Sequence, residues 1–162
     1  MAMGTQLFPV TEAQIEKLRA KPNSITKLPA DGMFLTHYLL SINYFALGKI
    51  SADTDKNPLA AMLVGFDSVE CDAVETGIIG IVKPAQVKPV LEGLEKLNLD
   101  KIAKRVEAAD VEDLESEDVD DFELLLDEAK SPKDQIVAQL RELTDFYRRA
   151  AMTGHGVVMF SG

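Results

Sequence analysis

Apolar residues fall in short bursts along this chain, and the spacing within each burst separates strands from helices. Residues 6–10 form a short apolar run of the strand type. Thr11 then stands before a segment predicted as a helix over 12–20, with the threonine as its N-cap. Lys21-Pro22-Asn23-Ser24 stops that helix, residues 24–28 add one helical turn, and Pro29-Ala30-Asp31-Gly32 makes a turn. Residues 33–47 are apolar nearly all round, the pattern of a helix buried in the middle of a core, and Gly48 ends it. After a polar loop over 51–56, Asn57 caps and Pro58 opens a short helix reaching residue 63. Residues 66–75 mix apolar and acidic side chains without a period and receive no element. The clearest strand is the β-branched run 77–83. Pro84 opens a helix over 85–97, and Pro89 inside it predicts either a kink or a helix start at Val87 or Lys88. Another short helix covers 100–108. A second long core helix covers 135–153, with Ile136, Leu140, Leu143, Tyr147 and Ala150 at helical spacing. Gly154 ends it, and residues 157–160 give a closing strand. Three strands with helices between them, and no regular βα repeat, predict a single α+β domain. It has a small, mostly antiparallel sheet packed with several helices, two of them long core helices.

Charge changes this picture at one place. The 162 residues carry 27 acidic and 17 basic side chains, a net charge of −10. Twelve of the acids, and no Lys or Arg, fall within residues 107–128. The remainder of the chain is close to neutral, so the acidity is local. A concentrated negative block disfavours nucleic acid and anionic membranes and favours a basic protein surface or a cation. Phe122, Leu124, Leu125 and Leu126 form an apolar island inside the block that should anchor it to the core. At 162 residues the chain is long enough for one core that hides roughly 70% of the unfolded surface. The lone Cys71 points to a reducing compartment, and neither a signal peptide nor a membrane-spanning run is present. The expected setting is cytoplasmic.

Several pieces together resemble a known family. They are Leu35-Thr36-His37-Tyr38-Leu39-Leu40, Asn57-Pro58-Leu59, and Ile79-Gly80-Ile81-Val82-Lys83-Pro84-Ala85-Gln86-Val87. Leu143 to Ala151 follows, then the glycine turn and the strand at 157–160. In this order and spacing they resemble the YfbM-like family, domain of unknown function 1877, over roughly residues 3–162. Met33 stands where a tryptophan is common in that family, and Asp110-Val111-Glu112-Asp113 replaces a Tyr-Pro segment. The resemblance implies an intracellular, bacterial-type α+β domain and carries over no catalytic residue.

Candidate chemistry is sparse. On a helix over 33–47, His37, Ser41 and Tyr44 share one face, and with Tyr147 they could line a pocket for a small molecule or a reaction using His37 as acid or base. The competing reading is a histidine satisfied by hydrogen bonds within the core. His155, between two glycines, reads as a turn residue, and Arg148 with Arg149 reads as a surface pair. Cys71 has no basic neighbour to activate it. No Cys/His set has zinc spacing, and the acidic block lacks the glycine of a calcium loop, so neither a metal nor any other cofactor is expected. The stronger reading is a non-enzymatic interaction module. In it Glu112, Asp113, Glu115, Glu117, Asp118, Asp120 and Asp121 face a basic protein partner, and neutralising Asp118, Asp120 and Asp121 abolishes salt-sensitive binding. Self-association through free strand edges is a further option.

Overall fold

The computed structural model describes residues 4–28, 34–49 and 53–161. The turn expected at Pro29-Ala30-Asp31-Gly32, the start expected for a helix at Met33, and the beginning of the 51–56 loop lie outside the described residues. Five strands form one antiparallel sheet: β1 (Thr5–Val10), β2 (Phe34–Thr36), β3 (Asp67–Glu70), β4 (Ile78–Val82) and β5 (Gly156–Ser161), in the order β2-β1-β5-β4-β3. At its centre all six residues of β1 pair with β5, from Thr5 opposite Ser161 to Val10 opposite Gly156. The Thr5 and Ser161 hydroxyls, both buried, bond to each other at 3.1 Å, so neither polar group is left unpaired in that layer.

Both faces of the sheet are covered, which explains why its central strands read as continuous apolar runs. One face carries Leu7, Phe34, Val82, Val157 and Met159 into the larger core, together with most of the helices. The other carries Phe8, Val10, Ile79, Ile81 and Val158 against α1 (Glu12–Ala20) and the 3-10 turn Pro22–Lys27. Thr11 caps α1 as its sequence predicts: its hydroxyl accepts from the Gln14 amide while the Gln14 side chain accepts from the Thr11 amide. Asn57 caps a short 3-10 turn, Pro58–Ala61, by accepting from the Leu59 amide. The chain just after that turn, at Val64, lies hard against β4. A Cβ on Gly80 would sit 2.3 Å from the Val64 carbonyl oxygen, so only glycine allows the approach.

The helical layer contains α2 (Leu39–Leu47), α3 (Pro84–Glu95), α4 (Leu99–Ala108), α5 (Val111–Ser116), α6 (Phe122–Glu128) and α7 (Pro132–Thr153). Its axis is α7, about 33 Å long at 1.5 Å per residue. Ile136, Leu140, Leu143, Tyr147 and Ala150 line its buried face. It is the longest helix among the described residues. The helix predicted over 33–47 is instead β2, a turn, and the nine residues of α2, because Phe34–Thr36 pairs with β1 at Thr5–Leu7. Helix α3 neither kinks into two elements nor starts late. It begins at Pro84 and runs through Pro89, which has no amide to donate to the Ala85 carbonyl; both residues are exposed. The segment without a period, 66–75, supplies the edge strand β3. Its exposed Asp67 pairs with Arg19 at 2.8 Å, and that hydrogen bond holds the Asp67 carboxyl below the usual range. Charged side chains on a short edge discourage further strand pairing.

Tyr147 is wholly buried, and its hydroxyl donates to the Met62 carbonyl at 2.7 Å. Burial pushes that hydroxyl far above the ordinary tyrosine range. The folded chain therefore keeps a proton that the unfolded chain releases above about pH 10. Stability is fully present below that pH and falls above it, by about 1.4 kcal/mol per pH unit for one such group. Tyr147→Phe is expected to cost about 1 kcal/mol at neutral pH through the lost hydrogen bond. It should also flatten the alkaline decline, as read by urea denaturation at neutral and alkaline pH.

Candidate functional site

The acidic segment is built from two short helices folded onto the core. Asp110 starts α5 by accepting from the Glu112 amide at 3.0 Å. The helix then ends without the glycine that usually makes such a turn. Asp118 takes the left-handed conformation (φ +62°), its amide donates to Glu115 and the Val119 amide donates to Leu114 at 2.8 Å. Buried Leu114 and Val119 complete the apolar contact of this helix-ending motif. Val119 then leads to α6, where Phe122 and Leu125 are fully buried and Leu124 packs against the core edge. Leu126, expected in the same apolar island, is 39% exposed because it falls on the outer side of α6. Since Asp118 sits where glycine costs less, Asp118→Gly is expected to raise stability by about 0.5–1 kcal/mol, measured by chemical denaturation.

Four acids of the segment have partners within the chain, although Glu107, Asp110 and Glu128 remain exposed. Helix α2 begins at Tyr38, itself left-handed (φ +60°), with no capping side chain of its own. Asp121 supplies the cap from a distant point in the chain. Its two oxygens accept from the Leu40 and Ser41 amides, each at 2.9 Å, and from the buried Ser41 hydroxyl. A carboxylate facing the first turn of a helix also meets the positive end of its dipole. Glu128 accepts from the Tyr38 hydroxyl at 3.3 Å. Burial first, and the charge of Glu128 second, raise the Tyr38 hydroxyl above its ordinary range. Glu107 pairs with Lys133 at the start of α7, and Asp110 is spent on its cap. Beneath the segment, the Phe45 ring tilts against Phe122 at 5.7 Å, and Arg105 lies over Phe45 while donating to its carbonyl.

The other acids point outward. Glu112, Asp113, Glu115, Glu117, Asp118, Asp120, Glu123 and Asp127 are exposed. Among the described residues none of these eight forms an ion pair. Among the described residues no group of three or more His, Cys, Asp and Glu is placed to hold a metal ion. Asp121 therefore belongs with the anchors, whereas Asp118 and Asp120 remain on the surface. The sequence pattern grouped all seven together because a cap donated from 80 residues away leaves no local spacing.

Of the residues proposed to share a helix face around His37, only Ser41 and Tyr44 lie on α2. His37 precedes α2 and is exposed, its ring meeting Tyr38 edge-on at 6.2 Å. Ser41 is spent on Asp121, and Tyr147 on Met62. Tyr44, half-buried, lines a shallow groove with Arg105, Asp110 and Asp113 instead. Cys71 is buried, with its thiol toward the Pro22 carbonyl and the Asn23 side chain. His155 is half-buried at the turn after α7, where Nδ1 lies 2.7 Å from the Thr153 hydroxyl.

The sequence profile of the family described as a domain of unknown function (DUF1877) matches residues 1–160. Among solved structures, the fold is similar to that of a protein of unknown function, YfbM from Escherichia coli. The TM-score is 0.67, with 16% identity over 99% of each chain. No curated protein matches the sequence. Among the described residues, no helix is long and apolar enough to cross a membrane.

Proposed function

The chain belongs to the family described as domain of unknown function (DUF1877), and we propose that it works as a protein-interaction module whose residues 107–128 present a folded acidic face to a basic protein partner. The observation that carries this reading is the division of labour within the segment. Leu114, Val119, Phe122 and Leu125 are buried and Asp121 is bonded inward, while eight acids stay exposed and, among the described residues, form no ion pair. Holding so many like charges together raises the free energy of the free protein, and a cationic partner relieves that repulsion on contact. Such a face steers association and sets specificity more than it adds raw affinity, so binding should weaken steeply as the Debye length shrinks below about 10 Å.

The test is capture of partners from host extract by the natural protein at low and at high ionic strength, with identification by mass spectrometry. A basic protein held at low salt and released at high salt is expected. Retention that ignores salt, or retention of acidic proteins, would refute electrostatic docking by this face.

A further inference from the structure

Near the C-terminal end of α7, a small cavity opens between the helix and β1. It measures about 220 Å³ and is lined by Pro9, Phe146, Arg149, Ala150, Thr153 and His155. Its floor is apolar, since Phe146 and Ala150 are buried and Pro9 contributes only its ring and no amide donor. A mostly apolar concavity with a few converging polar groups is the usual form of a small-molecule site. The polar groups here are cationic or neutral and carry no carboxylate of their own.

The last carbonyls of a helix normally make its C-terminus unfavourable for an anion. In α7 the carbonyls of two residues that line the cavity are already occupied. The Arg149 carbonyl accepts from the Thr153 hydroxyl at 2.8 Å, and the Ala150 carbonyl accepts from the His155 amide at 2.9 Å. Because the single Thr153 hydroxyl proton is used on Arg149, the Thr153 oxygen is left to accept from His155 Nδ1–H at 2.7 Å. That bond orients the imidazole, and among the described residues Nε2 has no hydrogen-bond partner. The Arg149 guanidinium likewise has no ion pair among the described residues, whereas its neighbour Arg148 is taken by Asp145 and Glu95. A free guanidinium beside an apolar floor matches a carboxylate carried on a short hydrocarbon body.

We infer that this cavity is a binding site for a small free monocarboxylate, with its apolar body on Pro9, Phe146 and Ala150 and its carboxylate on Arg149, bounded by His155. The inference stands apart from docking by the acidic segment and involves none of its residues. The experiment is an NMR titration of the full chain with butyrate and with benzoate, and with benzyl alcohol as the uncharged counterpart. The readouts are the Ala150 and Thr153 methyls and the His155 ring. At least one of the two carboxylates should give saturable shifts at all three residues. Benzyl alcohol should bind at least about tenfold more weakly, and Arg149→Gln should weaken the carboxylate by about tenfold or more. Arg141→Gln, an exposed change elsewhere on α7, should leave it unaltered. No saturable shift with either carboxylate, equal binding of the alcohol, or undiminished binding by Arg149→Gln would each overturn the assignment.

Discussion

Phe122→Ala is expected to cost about 3–5 kcal/mol, the usual penalty for deleting a fully buried aromatic ring that its surroundings cannot collapse to fill. Phe122 has no exposed surface and packs its ring against Phe45, which in turn supports Tyr44 and receives Arg105. It is also the first residue of α6, so the cavity opens where the acidic segment joins the core. The loss should fall unevenly. Amides of α5 and α6 should exchange with solvent far sooner than those of β1 and β5, which lie in the centre of the sheet. Urea denaturation combined with hydrogen exchange reads both parts. A cost below about 1 kcal/mol would mean that the segment is not held by this ring.

Asp121→Ala is expected to cost about 2–4 kcal/mol. Removing an N-cap costs about 0.5–2 kcal/mol, and a charge-assisted hydrogen bond contributes about 1.5–3 kcal/mol. The substitution strands three donors at once: the Leu40 amide, the Ser41 amide and the hydroxyl of fully buried Ser41. Tyr38, held in a left-handed conformation at the same junction, has no side-chain cap to replace it. Asp120→Asn next door should stay within about 0.5 kcal/mol, because Asp120 is exposed. The pair of variants therefore separates an acid that builds the fold from one that only adds surface charge. Equal stabilities for the two would show that the Asp121 cap contributes little.

What the sequence reveals about this fold follows how far away each determinant lies. Helix α1 is legible from end to end because Thr11 and Gln14 cap it reciprocally within three residues. Asn57 and Gly154 mark their boundaries for the same reason, as do the buried positions of α7. Phe34–Thr36 reads as helix when taken alone, since apolar residues surround it on every side. It is a strand because β1 offers it an edge some 30 residues earlier in the chain. Strand β3 has almost no burial pattern to read, since three of its four residues are exposed on an outer edge. The candidate site divides in the same way. The concentration of charge in residues 107–128 is plain in the composition, and the anchoring role of Phe122 and Leu125 follows from their hydrophobicity. That Asp121 turns inward is a tertiary fact with no local signature, and neither its neighbours nor its spacing distinguish it from Asp120. The cavity by Arg149 is equally silent, because Pro9 of β1 closes it against α7 and His155 from the far end of the chain.

The most direct measurement compares capture by three forms of the protein at low ionic strength and at a temperature where all are folded. They are the natural chain, a surface variant carrying Glu112→Gln, Glu115→Gln, Glu117→Gln and Asp120→Asn, and Asp121→Asn. If the outward acids dock the partner, the surface variant loses the basic protein while its stability is unchanged or higher. Asp121→Asn, although less stable, should retain the partner. Full retention by the surface variant, with loss only in Asp121→Asn, would contradict docking by the acidic face.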